Sequence, residues 1–162
     1  MRRMRALLFL ILVGGISSVA WGLSPQRAET PKLKIDGPGA VTVNGTSAIS
    51  GATVFSDSTV TTAKGSSAVV SLGKLGRVEL KPETTAKLTF TDSNFSLTTG
   101  DGQITTIGDK KAELSIDTSC GNTVVAVKKG RVELRAGDTV KQIAAGSQDT
   151  AGTARPGCTP GR

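Results

Sequence analysis

The sequence lacks histidine and tyrosine altogether, and its 162 residues include only one tryptophan and two cysteines. Histidine is the commonest general base of enzymes and a frequent metal ligand, and tyrosine supplies the usual phenolic acid. No serine stands in a nucleophile-elbow setting, and no glycine-rich loop opens a helix to hold a phosphate. The composition therefore predicts a non-enzymatic protein with no catalytic residue and no cofactor.

Carboxylates are the reactive groups that remain, since two pairs of acids stand close together in the sequence. Glu79 lies near Glu83, and Asp109 lies near Glu113. Each pair is flanked by lysine or arginine, which suits a solvated surface better than the buried setting of a catalytic acid. A general acid–base pair is therefore not expected.

Hard oxygen ligands occur around two turns, at Asp92-Ser93-Asn94 and at Asp101-Gly102. Calcium sites use such side chains, but their loops place the ligands at defined spacings that neither stretch matches. Aspartate and asparagine are also ordinary residues of β-turns. No metal site is predicted.

Aromatic side chains are too few to support stacking on bases or sugars. The basic residues are spread along the chain between acids, which together with the shortage of aromatics argues against a nucleic-acid partner. Phe55 and Phe90 stand within apolar runs and are expected in the core, whereas Phe95 is the candidate for exposure. A glycan- or cell-wall-associated binding domain is the alternative to a protein-binding domain, although a single exposed ring is little support for a sugar site.

The N-terminal segment has the three-part pattern of a secretory signal peptide. Three arginines within the first five residues precede an apolar run, and small residues follow up to Gly22. We therefore predict a signal peptide over residues 1–22, with the rest of the chain exported to the periplasm or cell envelope. The alternative is an uncleaved anchor over residues 6–23, in which case only this segment contacts the membrane.

The only two cysteines are Cys120 and Cys158. An even number of cysteines in an exported protein suggests a disulfide, and this one would close a loop of about 39 residues and fasten the C-terminal tail. Two free thiols, or a bond between two chains, are the alternatives that the sequence leaves open. A catalytic thiol is not expected, because the chain offers no histidine as its base.

Apolar and polar residues alternate through the chain after the N-terminal segment. Short runs rich in valine, threonine, isoleucine and leucine are separated by turn residues, and Asn44-Gly45 is typical of a type I′ hairpin turn. The sequence therefore predicts an all-β protein of short stacked strands, solenoid-like or sandwich-like, with no helix beyond the signal peptide. We assign residues 23–37 to a polar linker, 38–147 to the β domain and 148–162 to an irregular C-terminal tail.

The sequence Gly-Arg-Val-Glu-Leu occurs twice, starting at Gly76 and at Gly130. Weaker matches start at Gly51 and Gly102, so that the four starts lie 25, 26 and 28 residues apart. A period near 26 residues predicts stacked coils of two or three short strands each. Chance similarity between alternating sequences also explains the two weaker matches.

Both copies are interpreted as architecture rather than as a duplicated binding site. The valine and leucine of each copy point toward the core, and the arginine and glutamate lie side by side on the exposed face. Exposed pairs of this kind contribute little stability, so the charged face serves mainly solubility. The glycine at each start supplies a backbone conformation that other residues avoid. The structural repeat consists of Gly76, Val78, Leu80, Gly130, Val132 and Leu134.

Glycines and apolar runs follow a recognisable order over roughly residues 40–147. The stretch SGATVFSDSTVTTAKGSSAVVSLGKLGRVELKPETTAKLTF is followed by LTTGDGQI, then by LSIDTSCGNTVVAVKKGRVEL and IAAG. This order resembles the FecR-type periplasmic domain family. The positions that match that family's pattern are Gly51, Thr61, Gly65, Ser67, Ala68, Gly76, Leu80, Pro82, Thr84, Gly100, Thr118, Gly121, Gly130 and Gly146.

The resemblance implies an all-β, solenoid-like domain in the periplasm, and it carries over no catalytic or ligand-binding residue. Better-known members relay a signal from a TonB-dependent outer-membrane receptor to a cytoplasmic sigma factor. Those members place a cytoplasmic helical segment and a membrane span before this domain, and we do not expect such a cytoplasmic segment here, because the signal peptide is predicted over residues 1–22. The expectation is therefore the interaction module alone, exported and acting through a protein partner in the cell envelope.

Overall fold

The computed structural model describes residues 29–108 and 110–160, so the signal peptide predicted over residues 1–22 lies outside the described residues. Fourteen β-strands and one short 3-10 turn, Gly73–Leu75, make up the regular structure of the described residues. The strands form two sheets. The prediction of an all-β fold without helices beyond the N-terminal segment is confirmed for this part of the chain.

The first sheet has six strands, and its neighbours are antiparallel except for β6 and β10, which run parallel. Their order across the sheet is β1-β5-β6-β10-β11-β14. The bounds are Lys32–Asp36 for β1, Ser67–Ser71 for β5, Gly76–Leu80 for β6, Ala112–Asp117 for β10, Thr123–Lys129 for β11 and Gln148–Ala151 for β14.

The second sheet has eight strands, all antiparallel to their neighbours, in the order β13-β12-β9-β8-β7-β4-β2-β3. The predicted turn at Asn44-Gly45 joins β2 and β3. The bounds are Val41–Val43 for β2, Thr46–Ser47 for β3, Ser58–Thr62 for β4, Thr85–Phe90 for β7, Phe95–Thr98 for β8, Gln103–Thr106 for β9, Arg131–Ala136 for β12 and Thr139–Ala144 for β13.

One hydrophobic core lies between the two sheets. A single cluster of buried side chains takes Val78 and Leu80 from the first sheet, and Val132 and Leu134 from the second. Each of these four side chains is no more than 1% exposed, because alternate residues of a strand face the same side. The inward direction predicted for both Val-x-Leu pairs is thus observed, and the architecture is a two-layer sandwich.

The two Gly-Arg-Val-Glu-Leu copies lie in different sheets, the first in β6 and the second at the start of β12. The weaker match at Gly102 precedes β9, which pairs antiparallel with β12, and the one at Gly51 lies in a turn. The four starts therefore do not occupy equivalent places, and the spacing of about 26 residues is not the length of a repeated structural unit. What the two copies share is a strand with one buried face.

Close backbone contact explains the glycine at each start. Gly76 has a φ of 124°, and a Cβ atom at this position would lie 1.9 Å from the carbonyl oxygen of Ala112. Gly130 has a φ of 78°, and its Cβ would lie 2.8 Å from the carbonyl oxygen of Lys111. Both positions sit where β6 and β12 begin beside the same part of the chain, so both glycines are required by conformation and by space.

The predicted domain bounds of 38–147 are too narrow on both sides. Strand β1 lies inside the predicted polar linker 23–37, and β14 lies inside the predicted irregular tail 148–162. Leu33 is only 1% exposed because β1 pairs with β5, and Ala151 is only 3% exposed because β14 pairs with β11. Each segment offers too few apolar residues for its alternation to stand out from a polar background.

The phenylalanines are distributed differently from the sequence-based expectation. Phe95, expected to be exposed, is 1% exposed, whereas Phe55, expected in the core, is 72% exposed. Phe95 begins β8 and pairs with Phe90 of β7, which packs against the core. Val54 is fully buried, so the next residue in this extended stretch, Phe55, points away from the core.

A pair of neighbouring substitutions in β12 tests the assignment of faces. Val132→Asp places a carboxylate in the core without a partner, and we expect it to lower the free energy of unfolding by about 4 kcal/mol or more. Arg131→Ser changes an exposed position and is expected to shift it by at most about 0.5 kcal/mol. Both values come from chemical denaturation followed by circular dichroism. A large loss for Arg131→Ser would show that the faces of β12 are reversed.

Candidate functional site

A cleft of about 500 Å³ lies on the outer face of the first sheet, between the strands and the last described segment of the chain. Its floor comes from alternate residues of β10, β11 and β14, whose other face is turned to the core. Lys81, directly after β6, forms one side, and residues 154–160 form the other. The floor includes Ser115, Val124, Ala126, Gln148 and Thr150.

The C-terminal wall of the cleft is fastened by covalent and hydrogen bonds. Cys120 and Cys158 form a disulfide within the chain, so the first of the three alternatives left open by the sequence is the observed one. The backbone N–H of Arg155 donates to the carbonyl oxygen of Cys120 at 2.9 Å, and its guanidinium donates to the carbonyl oxygen of Ser119. Because β14 ends at Ala151, the disulfide and these two hydrogen bonds hold the following residues against the sheet.

Two buried polar side chains line the cleft where β10 ends and the next turn begins. Asp117 is 7% exposed, and its Oδ1 accepts hydrogen bonds from the backbone N–H of Ser119 at 2.9 Å and from its hydroxyl at 2.6 Å. Asn122 is 4% exposed, and its Oδ1 has no hydrogen-bond donor among the described residues. An unpaired buried acceptor costs about 1–3 kcal/mol, so this atom carries a cost that no described residue offsets.

A lattice of ion pairs borders the cleft on the same face of the sheet. Glu79 accepts hydrogen bonds from the ammonium groups of Lys81 at 2.8 Å and Lys128 at 3.1 Å. The hydrogen bond from Lys81 lowers the pKa of the Glu79 carboxyl, assisted by Lys128 and opposed by partial burial. Lys81 therefore lines the cleft while sharing the Glu79 carboxylate with Lys128.

A second carboxylate of this lattice is Glu113, in β10. Hydrogen bonds from Lys129 and Arg77, both at 3.1 Å, lower the pKa of the Glu113 carboxyl. Arg77 was expected beside Glu79 but pairs with Glu113, because the parallel register of β6 and β10 places these two residues directly opposite one another. In the second copy, Glu133 pairs with Arg135 at 3.3 Å rather than with the expected Arg131.

The turns considered for calcium are far apart in the fold. Asp92-Ser93-Asn94 joins β7 to β8, and Asp101-Gly102 joins β8 to β9, so the two turns lie at opposite ends of β8. Over residues 29–108 and 110–160, no three side chains of histidine, cysteine, aspartate or glutamate come together closely enough to hold a metal ion. Asp109 lies outside the described residues.

The residues of the cleft were not singled out by sequence reasoning, apart from the two cysteines that hold its wall. The six structural-repeat positions, Gly76 to Leu134, lie in the core or at strand starts, and none lines the cleft. The one local signal is the segment Ser115-Ile116-Asp117-Thr118-Ser119-Cys120, in which polar residues gather at the end of a strand beside a cysteine. From the sequence alone this segment cannot be told from an ordinary turn, because nothing in it shows that residues 154–160 pack beside it.

Comparison with known proteins gives no match for this chain among protein-family models, curated proteins or solved structures. Within the part of the chain that the structure describes, no helix is long and apolar enough to cross a membrane.

Removal of the disulfide is expected to destabilise the protein and to open the cleft. The bridge joins residues 38 positions apart, for which the chain-entropy model gives about 4 kcal/mol. We expect the double variant Cys120→Ala/Cys158→Ala to lose about this free energy of unfolding in guanidinium chloride. Reduced wild-type protein should behave like the variant, and the variant should not respond to reductant. A variant as stable as the oxidised protein would contradict the role given to the bridge.

Acid is expected to weaken the Glu79 ion pairs. Because the pKa of Glu79 is lowered on folding from its ordinary 4.5, the stabilisation is complete above pH 4.5 and is lost as the pH falls through the lower, folded-state pKa. Glu79→Gln should therefore be less stable than wild type at pH 7, with the difference shrinking below pH 4.5. A double-mutant cycle that combines Glu79→Gln with Lys81→Met, measured by urea denaturation at pH 7 and below pH 4.5, isolates the interaction energy of this ion pair. An interaction energy that is the same at both pH values would contradict the expected loss of the ion pair in acid.

Proposed function

We propose that this chain is an exported, non-enzymatic domain of FecR type that acts by binding a protein partner in the periplasm or cell envelope. The observation that carries the proposal is the cleft on the first sheet, which has a buried acceptor that no described residue donates to and a wall fastened by a disulfide. Binding sites combine a concave surface with a few convergent polar groups, and this cleft has both.

Export is supported by the disulfide and by the pattern of the N-terminal segment. Disulfides persist in oxidising compartments such as the periplasm and are rare in the reducing cytosol. The wall of the cleft depends on this bond, so the proposed site and the proposed compartment require the same redox conditions. The resemblance to FecR-type domains adds a link to envelope signalling, since the better-known members of that family are sensors.

A protein partner accounts for the surface better than a glycan does. Sugar sites of β proteins commonly use an aromatic platform, and the ring considered for that role, Phe95, is buried in the core. Phe55 is exposed, but it lies before β4 in the second sheet and does not line the cleft. The cleft instead offers hydroxyl, amide and carboxylate groups above a floor of small side chains.

Capture from an envelope fraction tests the proposed function. The oxidised protein is immobilised, and proteins retained from a detergent-solubilised envelope are identified, purified and measured for direct binding. Purified peptidoglycan is offered to a second sample. Direct, saturable binding of a captured envelope protein is the expected result. Retention on peptidoglycan alone would replace the proposal by the glycan-binding alternative, and binding to neither would refute both.

The intact mass of the secreted protein tests the compartment. We expect a mass that begins at Leu23 and is two hydrogens below the fully reduced value, as cleavage after Gly22 and one disulfide require. A mass that begins at Met1 would show that the N-terminal segment is retained.

A further inference from the structure

We propose that the cleft on the first sheet binds a basic side chain, a lysine ammonium or an arginine guanidinium presented by the partner protein. This inference rests on the proposed function, since it names the chemistry that the partner would bring to the same site. Three features of the cleft carry it: a carboxylate with one oxygen that no described donor reaches, a buried amide oxygen that likewise lacks a described donor, and a small apolar floor beside them.

Asp117 is the charged group of the cleft that forms no salt bridge with another described residue. Both hydrogen bonds from Ser119 reach Oδ1, and no donor among the described residues reaches Oδ2. Lys81 follows β6 next to Asp117 in the parallel register, yet its ammonium bonds to Glu79 at 2.8 Å instead. A carboxylate in this setting gains most from an incoming cation, because charge-assisted hydrogen bonds are about twice as strong as neutral ones.

Asn122 lines the cleft close to Asp117 and adds a second oxygen that lacks a donor. Its Oδ1 has no hydrogen bond within the described residues and is buried, so an incoming N–H group reaches it only if the amide turns toward the cleft. Ammonium and guanidinium groups carry three and five N–H donors and no acceptor, so either can serve the carboxylate and, after that rotation, the amide oxygen. An acidic side chain would instead bring a second negative charge beside Asp117.

The floor suits the aliphatic stem of such a side chain. Val124 and Ala126 lie on adjacent alternate positions of β11 and form the apolar part of the lining. Lysine and arginine bury their methylene groups along apolar surface while the charged head reaches polar partners. The volume of about 500 Å³ lies within the usual range of roughly 300–1,000 Å³ for ligand sites and leaves room for one long side chain and its flanking backbone.

The cations around the cleft are held by partners other than Asp117. Lys81 and Lys128 are hydrogen bonded to Glu79, and the Arg155 guanidinium in the C-terminal wall donates to the carbonyl oxygen of Ser119. None of these three groups forms a salt bridge with Asp117, so a cation that binds there disturbs no ion pair of the described residues.

The test is a titration of the oxidised, isotopically labelled protein with single amino-acid probes, followed by backbone amide shifts. Nα-acetyl-lysinamide and Nα-acetyl-argininamide carry the proposed groups. Nα-acetyl-norleucinamide matches the lysine stem without its charge, and Nα-acetyl-glutamamide carrying a free side-chain carboxylate reverses the charge. We expect saturable shifts at Asp117, Asn122, Val124 and Ala126 with the two cationic probes, and none with the other two.

Variants distinguish binding of the cationic probes in the cleft from their general electrostatic attraction to the protein surface. Asp117→Asn keeps the Oδ1 acceptor of the turn and is expected to weaken binding of the cationic probes about 10-fold or more. Asp92→Asn removes the same charge from an exposed turn outside the cleft, and should change affinity less than about 2-fold. Ala126→Leu fills the floor without removing any polar group and should also abolish binding, so the result does not depend on one variant folding well.

The outcomes are decisive for each proposal separately. If the cationic probes give no saturable shift, or if the acidic probe binds and Lys81→Ala removes that binding, the basic-side-chain inference is overturned. If Asp117→Asn still captures the envelope partner with wild-type affinity, the partner proposal stands and the cleft is not its site. If the probes bind as expected but no protein partner binds directly, the cleft chemistry stands and the proposed function fails.

Discussion

The fold depends on the parallel pairing of β6 with β10. In the first sheet, β1, β5 and β6 form one antiparallel half and β10, β11 and β14 form the other, and this is the pairing that joins them. Gly76 makes the approach of the two strands sterically allowed, since a side chain there would collide with Ala112. The same register sets Arg77 opposite Glu113 and brings Lys81 next to the end of β10. The core, the surface ion pairs and the cleft thus all depend on how β6 and β10 are aligned.

Local pattern was enough to predict the strands and their buried faces, but not the partners of those strands. Val78 and Val132 sit in the same five-residue motif, and both are buried, as alternation requires. Alternation is identical whether a strand joins the first sheet or the second, so the motif could not reveal that its copies are separated. Phe55 and Phe95 show the same limit, because the face of a residue near a turn depends on which neighbour occupies the core.

The cleft was beyond prediction for a related reason. Cys120 and Cys158 were recognisable as a pair, and that pair is present. Asp117 and Asn122 have unremarkable sequence surroundings. They line a cleft only because the disulfide holds residues 154–160 over the sheet beside them. The buried amide oxygen of Asn122, which no described residue donates to, is costly for stability. The site and the stability of the tail are consequences of the same covalent bond.

The parallel pairing also has a consequence for the order of folding. Half of the neighbouring strand pairs in the described residues, such as β7 with β8 and β8 with β9, are joined by short turns and can pair soon after they form. Strand β6 must instead wait for β10, because corresponding residues such as Arg77 and Glu113 are 36 positions apart and the whole β7–β9 meander lies between them. Loops of this length close slowly relative to hairpins, so the joining of the two halves of the first sheet is a slow step we expect, as is the pairing of β1 with β5, in which Lys32 lies opposite Ser71. The second sheet can therefore assemble its central strands before the first sheet exists as a continuous layer, and it offers the apolar surface on which that layer is completed.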